Sequence, residues 1–233
     1  MGLFRRGVKD DAPQDVAETV EEVEEAVPAV PARERGPWDA EEVHDDRTRV
    51  DLGALRVPGI DGMELRMEVD RATKVVSSVT IGVDGSTVTL QAYAAPRSEG
   101  IWDEIRAELA ESVEREGGSV DDLPGPFGRE LLARLPIRTA EGRTGHRPAR
   151  FVGVDGPRWF LRGVFTGHAA VDPERAKPLE DLFAGVVVVR GADARPPRDL
   201  LALTLPGQQG APAVPEKPSF DPLTRGPEIT EIR

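Results

Sequence analysis

With 233 residues and 39% hydrophobic content the chain is long enough to bury a core, and its formal net charge is −12. The charge is uneven: residues 1–50 carry 7 Lys+Arg against 14 Asp+Glu, residues 51–205 carry 20 against 24, and residues 206–233 carry 3 against 4. Absence of cysteine excludes disulfides, thiolate nucleophiles and cysteine-held zinc or iron–sulfur sites.

The acidity therefore belongs mostly to the amino-terminal segment, where it speaks for solubility rather than for an acidic active site. No apolar run is long enough to span a bilayer, and Met1-Gly-Leu-Phe-Arg-Arg lacks the apolar core of a secretory signal. The expectation is a cytoplasmic protein with no membrane association.

Residues 1–36 read as a disordered acidic tail with a small basic head (Arg5, Arg6, Lys9) and a transient helix over Ala17–Ala26. Residues 37–206 read as an α+β domain, divisible at 60–137 and 138–206, and residues 207–233 as a mostly disordered tail ending in FDPLTRGPEITEIR. Trp38 is a large aromatic in a polar run and is expected to dock on the folded body. VDLGALRVP (50–58) suits an extended arm along the core.

Met63–Asp70 alternates perfectly, with Met63, Leu65, Met67 and Val69 on one face and Glu64, Arg66, Glu68 and Asp70 on the other, which is the signature of a strand. Lys74–Val83 and Thr87–Tyr93 then form a hairpin across Asp84-Gly85, giving an antiparallel meander. Ile101–Glu116 changes period: Trp102, Ile105, Leu109 and Val113 recur at helical spacing, Asp103 and Glu104 occupy the first turn, and Gly117-Gly118 ends it. This helix is expected to cover the meander. Val120 and Leu131–Ile137 read as short strands, although Glu130–Leu135 also suits a helix.

Arg150–Thr166 holds two strand-like runs about Asp155-Gly156, a turn signal of the same kind. Apolar residues on both parities of 159–165 predict a central strand covered on both faces. Asp172-Pro173 is a helix start, with Ala176, Leu179, Leu182 and Phe183 as its apolar stripe. Val186–Val189 reads as a buried strand, and Leu200–Leu205 closes the folded part.

IGVDGSTVTL (81–90) and VGVDGPRWFL (152–161) align at an offset of 71. The hairpin-then-helix order repeats with them, so an internal βββαββ-like duplication is one reading, and chance recurrence of Val-Asp-Gly hairpins is the other. The fold class expected in either case is α+β: antiparallel sheet with two covering helices.

The histidines, His44, His146 and His168, show no metal-ligand spacing, and no phosphate loop or nucleophile elbow occurs, so neither a catalytic residue nor a metal or cofactor is assigned. Between Arg129 and Arg162 eight arginines stand against Glu130, Glu141 and Asp155, interleaved with Phe151, Trp159 and Phe160. Such a run can hold phosphates while aromatics stack bases, although arginine is also the general basic residue of this chain. Arg150, Arg158, Trp159, Phe160, Arg162 and His168 are the candidate binding residues. The acidic runs Glu18–Glu25 and Glu41–Asp46 are a candidate cover for this basic stretch.

The segments GPWD (36–39), RVDLGALRVPG, GVDGPRWFLRGVFTG, VVVVRG and DPLTRGPEIT together resemble the actinobacterial family known as domain of unknown function 3710, over Gly36–Arg233. That resemblance implies a cytoplasmic protein and supplies no activity or site residue. The leading expectation is a non-enzymatic protein-binding or adaptor module. The alternative is a nucleic-acid or nucleotide-binding protein using arginines 129–162.

Overall fold

The computed structural model describes residues 35–97, 100–138 and 144–207; the expectations placed on the two tails, including the helix over Ala17–Ala26 and the cover by Glu18–Glu25, lie outside them. The elements in chain order are β1 (Trp38–Asp39), β2 (Arg49–Asp51), β3 (Leu55–Pro58), β4 (Glu64–Val69), β5 (Val76–Val83), β6 (Ser86–Ala94), α1 (Trp102–Arg115), β7 (Ser119–Gly125), β8 (Gly128–Arg138), β9 (Thr144–Gly156), β10 (Trp159–Gly167), a 3-10 turn (His168–Ala170), α2 (Pro173–Ala184) and β11 (Val187–Val188). The class is α+β, as expected.

Seven strands form one antiparallel sheet in the order β4-β5-β6-β10-β9-β8-β7, and a smaller sheet runs β1-β11-β3-β2. β10 lies at the centre of the large sheet, where Trp159, Phe160, Leu161 and Phe165 are all fully buried. Its alternation sorts the two faces. Trp159, Leu161 and Phe165 join Val79, Ile81, Val88, Leu90 and Ala92 in the main core, together with Leu179, Leu182 and Phe183 of α2 and Leu52, Leu55 and Val57 from the small sheet. Phe160 faces the other way and packs with Ile101 and Trp102 of the α1 start, flanked by Tyr93, Ile105, Leu109 and Phe151. One helix therefore covers each face of the large sheet.

The predicted strands and helices are present within a few residues of their expected ends. Leu131–Ile137 is strand, since β8 pairs with β7 on one side and β9 on the other. VDLGALRVP does lie along the core, as β2, β3 and the buried corner between them, and Trp38 docks by placing its backbone N–H on Val186 O at 2.9 Å. Asp172 caps α2 by accepting from Glu174 N and Arg175 N, with Pro173 at the first helical position.

The second hairpin corner is a correction. Gly156 pairs with Trp159, so the turn is Pro157-Arg158, with Arg158 at φ 62°, and Asp155-Gly156 ends the strand before it. A turn at Asp155-Gly156 would put Pro157 where a closing N–H is needed, and proline has none. Two residues later its fixed φ suits the first central position of the turn. Asp84-Gly85, by contrast, is a true corner, with both residues at positive φ. The Val-Asp-Gly repeat thus aligns residues that do different jobs, and the helices after the two hairpins pack on opposite faces of the sheet.

The placement of α1 is the second correction. It lies over β7, β8 and β9 rather than over the meander: Trp102 Nε1 donates to Arg129 O on β8 at 2.7 Å, and Arg106 reaches Asp122 on β7. The meander offers that face Arg66, Thr80, Thr87 and Thr89, with Thr80 bonded to Thr89 and Thr87 to Thr166. Such a surface gives an amphipathic helix little apolar area to bury. No helix among the described residues is long and apolar enough to cross a membrane.

Candidate binding groove between α1 and the sheet

Because α1 stops short of the meander, its edge and the centre of the sheet enclose an open cleft of about 490 Å³. Tyr93 on β6 and Phe160 on β10 sit directly opposite in the ladder, and their rings stack with centroids 6.1 Å apart. Arg162, one step along the same face, pairs with Gln91 and carries its guanidinium 5.6 Å from the centre of the Tyr93 ring. Helix α1 supplies Ile105, Leu109 and Ser112 as the wall, with Glu108, Glu111 and Arg115 at the rim. Arg198 closes one end and is held by Glu104 at 2.7 Å and Glu108 at 3.0 Å.

The position of α1 is fixed from below. Ile101 provides no side-chain cap, and Asp155 on β9 takes that role, accepting from Ile101 N at 2.8 Å and Trp102 N at 3.3 Å. Gly153 lets the Trp102 ring lie flat on the sheet, because a Cβ there would overlap it. Trp102 in turn stacks on Phe160, centroids 5.8 Å apart. The start of α1 and the groove floor are thus tied to one another.

Its electrostatics are set by Arg162. Glu108 and Arg198 neutralise one another at the end of the cleft, and Glu111 lies 4.0 Å from Arg115. Arg162 has Gln91 as its polar partner, its Nε is buried with no hydrogen bond, and no carboxylate among the described residues comes within ion-pair distance. Burial raises the Tyr93 phenol above its ordinary value, with the charge of Arg162 pulling the other way. The cleft offers an aromatic floor beside a cation that has no ion pair among the described residues. Among the described residues no group of three His, Asp or Glu is placed to hold a metal.

A family model described as a protein of unknown function (DUF3710) matches residues 36–211, well over half of the chain. The chain belongs to this family. No curated protein matches it. In this DUF3710 member the match stops at residue 211, short of the Arg233 to which the sequence resemblance was extended.

Of the six residues singled out in the DUF3710 chain, the structure brings Phe160 and Arg162 together in the groove and scatters the rest. Arg150 lies on the opposite face, opposite Phe165, where it binds Glu130 at 3.2 Å and Glu180 at 2.7 Å and stacks over the Phe165 ring. Arg158 stands in the hairpin turn near Gly191. Trp159 is buried in the main core with its indole N–H on Asp39 Oδ2 at 2.6 Å. His168 is exposed in the 3-10 turn beside Gly85. Arg158 and Phe160 share parity by number, but the turn takes Arg158 out of the sheet face. Sequence reasoning passed over Tyr93, although a signal was present: it is the one tyrosine of the chain and falls on the otherwise polar parity of Thr87, Thr89 and Gln91.

Proposed function

We propose that this protein is an actinobacterial, cytoplasmic, non-enzymatic binding module, an adaptor that grips a protein partner in the groove between α1 and the large sheet. The observation that carries the reading is Arg162: a partly buried guanidinium beside an aromatic floor, without a counter-charge of its own. Arginine keeps its proton throughout the physiological range, so the charge at this spot is permanent.

Recognition of a polyanion by arginines 129–162 draws less support. Phosphate backbones are met by contiguous free cations. Here Arg129 pairs with Asp122, Arg134 with Asp121, and Arg150 with two glutamates on the far face.

The test is a photo-crosslinking amino acid at Ser112 in the groove, compared with the same group at exposed Val171 on the other side of the sheet. The expected result in native lysate is a protein adduct specific to position 112 and unchanged by nuclease. Equal labelling from both positions would refute the groove, and a nuclease-sensitive adduct would favour nucleic acid.

A further inference from the structure

We propose that the groove under α1 recognises an aromatic side chain and a carboxylate presented together on an extended segment of a partner polypeptide. The ring lies against Tyr93 between Ile105 and Leu109, and the carboxylate meets Arg162. This inference deepens the groove reading above and rests on it.

Charge complementarity names the carboxylate. Arg115, Arg162 and Arg198 line the cleft against Glu108 and Glu111, and Arg198 and Arg115 already have those glutamates beside them. With Glu104 also on Arg198 the arginines and glutamates balance in number, but all three glutamates stand beside Arg198 and Arg115, and Arg162 is left with Gln91 as its polar partner. A single carboxylate meets a guanidinium through two parallel hydrogen bonds and satisfies it. A chain of phosphates would bring further negative charge against Glu108 and Glu111 in the same cleft.

The floor names the ring. Tyr93, Phe160 and Trp102 already form a stack, with 28° between the Tyr93 and Phe160 planes, and an incoming ring extends it at the Tyr93 end in the arrangement that aromatic quadrupoles favour. Ile105 and Leu109, both only partly buried by the fold, flank that position. The shape of the cleft names the polypeptide. It is open rather than enclosed, whereas sites for free small molecules surround most of their ligand's surface. A cleft open along its side admits a side-chain pair while the backbone that carries it stays outside.

The experiment titrates the full chain by NMR, observing the Arg162 Nε–H and the Tyr93 ring. The probes are four: acetyl-Ala-Phe-Asp-Ala-amide, its Phe-Asn and Ala-Asp counterparts, and free 3-phenylpropionate. The Phe-Asp peptide is expected to shift both signals and to bind at least about fivefold more tightly than either single-feature peptide. Arg162→Gln is expected to weaken it about tenfold, the loss typical of a charge-assisted hydrogen bond, while Arg162→Lys keeps part of the affinity. If Phe-Asp and Phe-Asn bind alike, or if Gln and Lys at 162 behave alike, the carboxylate role is overturned. Binding of 3-phenylpropionate without the peptide overturns the polypeptide. Should the peptides leave the groove untouched while Ser112 still crosslinks a protein, this inference falls and the groove reading stands; failure of both removes the groove itself.

Discussion

Trp159 Nε1 on β10 donates to Asp39 Oδ2 on β1 at 2.6 Å, joining residues 120 apart in sequence. The other oxygen of the same carboxylate accepts from Glu41 N at 2.9 Å, and Asp39 is only 8% exposed. The indole therefore satisfies a buried acid of the small sheet and fills core volume in the large one. Trp159→Phe removes both and is expected to cost about 2–4 kcal/mol, combining a lost hydrogen bond to a charged acceptor with a partial cavity. Urea unfolding checks this; a loss below about 1 kcal/mol would show that the two sheets do not depend on this contact.

Asp155 caps a helix to which it does not belong. Asp155→Ala is expected to lower stability by about 1 kcal/mol, the usual cost of losing a cap. The effect should be local: amide exchange should quicken in the first turns of α1 more than in β5 or β6. Uniform acceleration across the sheet would contradict the assignment.

Gly153 is required by contact. A methyl group there would overlap the Trp102 ring and stand 2.7 Å from Phe160. Gly153→Ala should destabilise by about 1–3 kcal/mol through overpacking and lift α1, shifting tryptophan emission to the red. Gly59, where an added methyl would have no neighbour within 4 Å, is the control position and should tolerate alanine.

Glu130 lies buried beside Arg150, and burial, reinforced by the charge of Glu180, raises its carboxyl above the ordinary value despite the arginine. A folded state that holds this proton more tightly than the unfolded chain gains stability that is complete below the unfolded value and is lost as pH rises through the folded one. Glu130→Gln has no proton to lose. The native protein's advantage over this variant should therefore be larger near pH 4 than near pH 7, as read from urea midpoints at both. A gap that widens with rising pH would reverse the sign.

Much of the fold is visible in local pattern. Met63–Asp70, the Asp84-Gly85 corner, the Ile101 helix and the Asp172-Pro173 start each satisfy a rule spanning a few residues, and each is found. What local pattern does not carry is register between strands remote in sequence. Pairing of β6 with β10 puts Phe160 opposite Tyr93 and so creates the groove floor, yet nothing in either strand alone names its neighbour. The same blindness made the arginines look like one surface: Arg150 and Arg162 occupy alternate faces, and a single-parity shift reverses which side a charge occupies. Asp155 reads as a corner because Asp-Gly is a strong turn signal; the proline after it decides otherwise.

The segment 198–204 enters the fork where β5 diverges from β6. Arg198 N and Leu201 N bond to Ala94 O and Ala92 O, Leu203 N bonds to Val76 O, and Thr204 N bonds to Leu52 O at the corner between β2 and β3. A ribosome must accordingly deliver residue 204 before the large sheet and the corner between β2 and β3 have their full complement of hydrogen bonds. Every earlier nascent chain exposes that notch and the apolar wall behind it. Assembly of this region is therefore completed by a latch that arrives after everything it fastens.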